Sequence, residues 1–387
     1  MPVYPLYALL FADTGMSDGQ ISLLFAVWST VAVVAEVPFG ALADRFSRRG
    51  ALVTAGVLQA CGYALWTAVP GFWTFAAGFV LWGLGGALVS GALEALLHDG
   101  LAAVGAADSF GLVLGRVTAA GLLAQIPAAL AATVLFASGG YPLVGWVSAA
   151  TCLAAALLAS RLPETPQGEP ESWLGTLRSG LAESSAVPAV RRAVIAVAVL
   201  TGIDALEEYF PLMAQDWHVP TALVPIAVLA IPLAGAAGAA LAGTAGATGR
   251  AGAASPAGAA SAPSAAGASG FRRRIAPLLA LSALLLALAG FLRHPAGLAL
   301  VAVSYGLYRL VLVVAETRLQ QHITGPARAT VTSVAGLGSE VAAYAVYATW
   351  TLGEVPAVAA GVLLTALLLA RSGAKVPEPD RTPASPP

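Results

Sequence analysis

The sequence predicts an all-α integral membrane protein with twelve membrane-crossing helices, split six and six by a polar stretch. Its 387 residues are 58% hydrophobic and only 10% charged, and the mean hydropathy is +0.81. A soluble domain of this length needs more charge, because its surface must meet water. Apolar runs of about 20 residues, each long enough to cross roughly 30 Å of hydrocarbon as a helix, recur along the whole chain.

The apolar runs predict one short span followed by eleven complete ones. Residues 1–12 would reach only about 18 Å as a helix, so we expect span 1 to lack its outer turns. A short interfacial segment is the alternative interpretation of this stretch. The remaining spans are expected at about 20–41, 50–69, 72–97, 110–137, 142–160, 193–213, 219–242, 275–292, 297–320, 330–351 and 355–371.

The placement of arginine and lysine predicts the orientation. If the spans alternate, fifteen of the nineteen basic residues fall on one side, and only Arg293 lies in a loop on the other. By the positive-inside rule the basic side is cytoplasmic, so both termini should be cytoplasmic and the number of spans even. Abundant arginine and alanine with almost no lysine are typical of a high-GC bacterial gene. We therefore expect a multi-pass protein of the bacterial cytoplasmic membrane.

Two polar stretches predict the domain organisation. Residues 1–161 should form an N-terminal bundle of six spans, and 191–373 a C-terminal bundle. The linker 162–190 is rich in proline, serine and glutamate and should be cytoplasmic. Within the second bundle, 242–270 is almost entirely alanine, glycine, serine and threonine, so we expect a disordered loop. Residues 374–387 should form a cytoplasmic tail.

The most informative motif is GALADRFSRRG, a cationic turn between spans 2 and 3. Its first glycine lets two helices approach closely, and its aspartate can pair with an arginine across a gap between helices. Such a salt bridge can hold one conformer and release in the other. The alternative is that the turn merely anchors the basic side of the membrane. The candidate gate residues are Glu36, Gly40, Asp44, Arg45, Arg48 and Arg49.

The chain resembles the major facilitator superfamily, in particular a bacterial branch often labelled permease or efflux protein. The resemblance covers almost the whole chain and rests on EVPFGALADRFSRR from Glu36, SGALEALLHD from Ser90, LGRVTAAG from Leu114, IDALEEYFPL from Ile203 and ARATVTSVAG from Ala327. It implies two six-helix bundles around a central cavity, with alternating access by rocking of the halves. It also implies proton-coupled transport or uniport of a small solute, and export is expected because the branch is commonly so labelled.

Two departures from the family pattern bear on this interpretation. The loop after span 8 reads LAGTAGATGR and has no aspartate, where the family carries a second copy of the motif. Span 4, in FVLWGLGGALVSGALEA, has none of the arginine that drug–proton antiporters often carry. The degenerate loop supports one alternative, a transporter-like receptor or scaffold without transport activity.

Charged side chains within the spans are the candidate cavity residues, because each is costly in lipid without a partner or water. Asp204, Glu207 and Glu208 are three and four residues apart, which predicts one shared helical face. Crowded carboxyl groups there could carry a coupling proton. The alternative is that the cluster meets solvent at the outer end of span 7, and this applies more to Glu208 than to Asp204.

The other intramembrane charges predict either ion pairs or a path for the solute. Arg309 could pair with an acid on another helix or bind an anionic solute, and Glu316 lies two turns away on span 10. Arg116 on span 5 could pair with Glu94 on span 4. Glu340 begins a polar stripe on span 11 that continues with Tyr344 and Tyr347. The stripe could line the path, although tyrosines also pack well between helices.

Several classes of activity have no supporting signal. No GxxxxGK[ST] loop is present, so ATP-driven transport is not expected. The histidines lack metal-ligand spacing, and Cys61 and Cys152 lie in separate apolar runs. We expect neither an enzyme nor a cofactor, metal or nucleic-acid partner. The expected partners are a small-molecule solute, a coupling proton and the lipid bilayer around a monomer.

Overall fold

The computed structural model describes residues 1–164, 188–251, 265–322 and 328–371, and contains no strand in those ranges. For some helical residues the structure describes only the backbone. These residues are 36, 37, 40–46, 91, 189, 244–251, 265–274, 322 and 328–330. Most of the predicted linker 162–190 and all of the tail 374–387 also lie outside the described residues.

The N-terminal half contains six helical spans. They are Tyr7–Asp13 (span 1), Asp18–Phe46 (span 2), Arg48–Ala68 (span 3), Phe72–Ala103 (span 4), Phe110–Leu123 with 125–138 (span 5) and 141–159 (span 6). Spans 5 and 6 are separated only by Gly139 and Gly140, and Gly140 has a φ of 60° that favours glycine.

The C-terminal half repeats this arrangement. Span 7 begins as the helix Pro188–Gly202, tightens into the 3₁₀ segment Ile203–Tyr209, and ends as the short helix Phe210–Asp216. The others are Val224–Ala251 (span 8), Ala265–Leu292 (span 9), Gly297–His322 (span 10), 328–352 (span 11) and 355–371 (span 12). Spans 11 and 12 meet at a kink at Gly353 and Glu354.

The expected all-α membrane class with twelve spans is confirmed. Eight helical stretches in the described residues are long and apolar enough to cross a membrane. Two of them, Ala107–Ala159 and Val331–Arg371, are 53 and 41 residues long, and each contains a glycine kink that divides it into two spans. Span 7, interrupted by its 3₁₀ segment, and the short span 1 complete the set. Large apolar side chains such as Leu157 and Leu284 are exposed on the outside, where lipid would cover them.

The structure has helix in part of the predicted loop 242–270. Helix continues to Ala251 in span 8 and resumes at Ala265 in span 9, so only 252–264 lies outside the described residues. Alanine is the best helix former, which accounts for helical backbone in a stretch whose low apolar bulk suggested disorder.

The molecule has two ends, which we call the Asp13 end and the Ser47 end. The Asp13 end carries the connections 14–17, 69–71, 139–140, 217–220, 293–296 and 353–354. The Ser47 end, opposite it, carries Ser47 and the connection 104–109. At the Asp13 end a buried aromatic cluster fixes span 1: the ring of Phe11 lies 4.3 Å from that of Phe75, and Trp66 lies 4.9 Å from Phe79.

Candidate functional site

The 3₁₀ segment Ile203–Tyr209 interrupts span 7 where its three carboxyl groups lie. In a 3₁₀ helix residues i and i+3 eclipse one another, whereas residue i+4 points about 120° away. Asp204 and Glu207 therefore share a face, and Glu208 points in a different direction. The prediction that all three acids share one helical face is wrong, because it assumed α-helical geometry for this segment.

Asp204 and Glu207 face span 10 within the C-terminal half. The Arg309 Nη1 atom lies 2.8 Å from Asp204 Oδ2, and the Tyr305 hydroxyl donates to Asp204 Oδ1 at 2.9 Å. The same hydroxyl also contacts a carboxylate oxygen of Glu207. Of the two alternatives for Arg309, the structure supports pairing with an acid on another helix. We call Asp204, Glu207, Tyr305 and Arg309 the ion-paired cluster.

The break in span 7 is itself supported by span 10. The Tyr308 hydroxyl donates to the Leu200 carbonyl at 2.7 Å, at the end of the α-helical part of span 7. A buried carbonyl near a change of helix type needs such a donor, because its regular partner is displaced. Span 10 thus satisfies both the backbone and the acidic side chains of the interrupted segment.

Glu208 points away from the ion-paired cluster, towards the N-terminal half. Only 7% of its surface is exposed, so for Glu208 the alternative in which the side chain meets solvent is wrong. Its carboxyl group faces the Tyr4 hydroxyl on the first turn of the chain, and Glu340 of span 11 lies within electrostatic range. Tyr4 was missed by sequence analysis, because a lone tyrosine near the chain start carries no motif.

A cavity of about 320 Å³ lies between the halves. Residues of the segment before span 1 and of span 5 form one wall, and spans 7 and 8 form the other. The lining is mainly apolar. Its polar groups include Glu207, Glu208, Tyr4 and Gln125, and Phe210 adds an aromatic face. Among the described residues that line it, none is lysine, arginine or histidine.

The arginines of the motif between spans 2 and 3 pair within the N-terminal half. Arg48 Nη1 contacts the carboxylate of Asp99 at the end of span 4, and Arg49 Nε lies 3.3 Å from Glu164 Oε2 beyond span 6. The Ser47 hydroxyl lies 2.8 Å from the same Glu164 oxygen. These contacts tie the turn to spans 4 and 6. Of Glu36, Gly40, Asp44 and Arg45, the structure describes only the helical backbone.

Asp99 and Glu164 are partners that sequence analysis did not identify. Asp99 closes the SGALEALLHD stretch, so its position at the end of span 4 was a usable signal. Glu164 lies in the proline-rich stretch after span 6 and has no distinguishing pattern.

Two of the remaining candidates are not brought together. Glu94 and Arg116 are both exposed, and they form no ion pair with each other in the ranges described. The first part of span 5 accounts for this, since none of its residues, Phe110–Leu123, is buried against another span. Glu316 is also exposed on span 10, within electrostatic range of Arg309.

The polar stripe on span 11 faces span 2 rather than open space. The Tyr347 hydroxyl lies 3.2 Å from that of Ser29, and the Tyr344 hydroxyl lies 2.8 Å from that of Thr30. Glu340 is half-buried below them and faces Ser29. The two side chains of each pair come from different halves, so this stripe forms part of the contact between the halves.

Two further hydrogen bonds join the halves nearer the Asp13 end. The Ser22 and Tyr209 hydroxyls are 2.7 Å apart, and Gln215 Nε2 donates to Asp13 Oδ1 at 3.2 Å. Asp13 is held from its other oxygen by the Tyr141 hydroxyl at 2.6 Å. Together with the stripe, these bonds close the Asp13 end.

The family model of the Major Facilitator Superfamily matches residues 1–353. Three crystal structures illustrate the structural likeness. A mutant of the nucleoside transporter NupG aligns with a TM-score of 0.71 and 12% identity over 96% of this chain and 94% of that one. A mutant of the peptide transporter POT in complex with alafosfalin aligns with a TM-score of 0.70 and 14% identity, over 96% of this chain and 90% of that one. A D-xylose–proton symporter aligns with a TM-score of 0.66 and 16% identity, over 95% of this chain and 92% of that one.

No curated protein matches the chain. At identities of 12% to 16%, the likeness to solved structures shows a shared fold and carries no information about the solute.

Proposed function

The chain belongs to the major facilitator superfamily, and from this premise we propose that it is a secondary transporter that moves a small solute by alternating access. The observation that carries the proposal is the cavity of about 320 Å³ between the two halves, beside an interrupted span whose 3₁₀ segment holds three carboxyl groups. Discontinuous helices at the interface between repeats are where secondary transporters place their solute and coupling-ion sites.

The arrangement of the halves supports one state of the transport cycle. Four hydrogen bonds between the halves involve residues of spans 1 and 2 towards the Asp13 end. In contrast, the first part of span 5, towards the Ser47 end, buries none of its residues. With the arginine-rich Ser47 end placed in the cytoplasm by the positive-inside rule, the state is inward-facing, and both termini are cytoplasmic.

We further propose that the ion-paired cluster couples transport to protons and that the physiological direction is export. Asp204 and Glu207 share the Tyr305 hydroxyl, and Arg309 neutralises Asp204. A proton on Glu207 would remove one of two neighbouring negative charges and weaken its hold on Tyr305. The position of Glu207 in both the cluster and the cavity wall supports a coupling role, because proton and solute would then affect the same side chain.

Transport by proteoliposomes tests the proposal with a range of candidate solutes. The purified protein would be given an imposed pH gradient, no ATP, and a panel of labelled nucleosides, sugars, dipeptides and organic cations. We expect gradient-driven accumulation of at least one compound. If the cluster couples protons, Asp204→Asn and Glu207→Gln will abolish this accumulation and leave solute exchange without a gradient intact.

Asp108→Asn provides the control, since Asp108 is an exposed carboxyl in the connection between spans 4 and 5. It should transport as the wild type does. Unchanged accumulation in both Asp204→Asn and Glu207→Gln would reject the coupling role. A folded, correctly inserted protein that moves no compound of the panel would reject the transporter in favour of a receptor or scaffold.

A further inference from the structure

Glu208 is the one carboxyl group of the span 7 break that lacks a basic neighbour in the contacts of the described residues. Asp204 is neutralised by Arg309, and Glu207 is held by Tyr305 beside the same arginine. Glu208 instead faces a neutral hydroxyl, that of Tyr4, and it interacts electrostatically with another acid, Glu340. A carboxylate with only 7% of its surface exposed is costly unless it takes up a proton or a positive charge comes to it.

The cavity beside Glu208 is shaped to hold more than a small inorganic ion. Its volume of about 320 Å³ lies at the lower end of the range for organic ligands. Pro211, Pro225 and Pro232 contribute apolar surface to the wall formed by spans 7 and 8. Tyr4 and Phe210 contribute aromatic rings, whose faces attract cations.

The charge of the lining side chains disfavours anionic solutes. Apart from Tyr4, the ionisable side chains of the wall are two glutamates. The described lining has no lysine, arginine or histidine side chain to answer a carboxylate or phosphate, and the α-amino group of Met1 is partly buried and close to Cys152. An anion placed there would meet like charge in a low-dielectric environment, which disfavours its binding. A neutral solute would leave the Glu208 carboxylate without a counter-charge.

We propose that the cavity binds an organic cation with an apolar body, and that Glu208 is the residue that neutralises its positive charge. The inference rests on the proposed function only in placing this cavity on the path of the transported solute. In this division of work, the ion-paired cluster of Asp204, Glu207, Tyr305 and Arg309 serves coupling, and Glu208 with Tyr4 serves recognition.

Equilibrium binding in detergent tests the inference without any transport. Tetraphenylphosphonium and tetraphenylborate have the same shape and opposite charge, so their comparison isolates the sign of the charge. At pH 8 we expect saturable binding of tetraphenylphosphonium and none of tetraphenylborate. Glu208→Gln, which keeps the size of the side chain, should weaken tetraphenylphosphonium binding about tenfold or more, whereas Asp108→Asn should leave it unchanged.

Two further measurements keep the test decisive. Glu208→Asp retains the negative charge and should keep most of the affinity that Glu208→Gln loses. If Glu208→Gln fails to fold, the preference of the wild type for the phosphonium over the borate still decides the sign of the site. Equal binding of both probes, or full affinity in a folded Glu208→Gln protein, overturns the inference.

The outcomes distinguish this inference from the proposed function. Saturable, Glu208-dependent cation binding in a protein that transports nothing would support the site and reject the transporter. Transport of a neutral or anionic solute, without phosphonium binding, would support the transporter and reject the site.

Discussion

The Tyr209 hydroxyl on span 7 lies 2.7 Å from the Ser22 hydroxyl on span 2, and both side chains are buried at the contact between the halves. Tyr209 directly follows Glu208, so one residue of the same 3₁₀ segment faces the cavity and the next joins the halves. The Tyr209 ring also stacks on Trp350 of span 11, with centroids 4.1 Å apart. A change in the position of Glu208 at the cavity can therefore be transmitted through Tyr209 to the contact that closes the Asp13 end.

Loss of the Tyr209 hydroxyl should shift the protein towards opening at the Asp13 end. Tyr209→Phe keeps the stacking on Trp350 but removes a buried hydrogen bond worth about 1 kcal/mol, which corresponds to about a fivefold change in the ratio of conformers. Spin labels on Val69→Cys and His294→Cys, at exposed sites of the two halves, would report the change as a longer distance in a background without Cys61 and Cys152.

Tyr141→Phe is the control for this experiment, because Tyr141 bonds to Asp13 within the N-terminal half. It removes a tyrosine hydroxyl near the same end and should move the distance distribution less. If Tyr209→Phe gave the wild-type distribution, the hydrogen bond to Ser22 would have no part in keeping this end closed.

The sequence predicted the spans well and the direction of the acidic side chains poorly. Hydropathy located the spans, because each apolar run must cover the hydrocarbon core. The sequence could not reveal that span 7 changes to 3₁₀ geometry at Ile203, since that change depends on Tyr308 and Tyr305 of span 10. The change separates Glu208 from Asp204, which periodicity alone placed together.

The gate motif shows the same limit. The sequence identified Arg48 and Arg49 as a functional unit, but their partners Asp99 and Glu164 lie about 50 and about 115 residues further along the chain. Pairing over such separations is set by how spans 4 and 6 pack beside the turn, and a single sequence does not carry that information.

Removal of the positive charge from the ion-paired cluster should destabilise the C-terminal half. Arg309→Met leaves the Asp204 carboxylate without its counter-charge, while the two side chains are only 32% and 26% exposed. Allowing for that exposure, the cost should be about 1–3 kcal/mol, seen as a melting temperature several degrees lower in detergent. Arg309→Lys should lose less, because it keeps the charge.

The double variant Asp204→Asn with Arg309→Met distinguishes the ion pair from simple loss of packing. It removes both charges, so it should recover part of the stability that Arg309→Met loses. A double variant as unstable as the sum of its two single variants would show that the pair contributes no coupling energy.

Stability should also depend on pH through Asp216, which lies beyond the apolar part of span 7 and beside the connection 217–220. Partial burial and the negative charges of Glu354 and Asp18 raise the pKa of Asp216 above its usual value, and Arg293 opposes them. The folded protein therefore favours the protonated form, and the favourable contribution disappears as pH rises through the raised pKa. Asp216→Asn should melt at a higher temperature than the wild type at pH 7.5.

The difference should shrink as the pH falls towards the ordinary pKa of aspartate, because the wild-type side chain then becomes protonated as well. Melting curves at pH 7.5 and 4.5 measure it. A difference that stayed constant or grew with acidification would contradict the assigned direction of the shift.

Close contact between spans 8 and 10 should make Gly238 intolerant of any side chain. A Cβ atom at Gly238 would clash with the carbonyl oxygen of Gly306, and the backbone cannot yield as a flexible side chain would. Gly238→Ala should therefore force the two helices apart, at a cost of about 1–3 kcal/mol, and displace Tyr305 and Arg309 on span 10.

Gly243→Ala, about one and a half turns along the same helix, meets nothing within 4 Å and should be neutral or slightly stabilising. Thermal stability by size-exclusion chromatography of both variants makes the comparison, and equal melting temperatures would show that spans 8 and 10 are not in backbone contact.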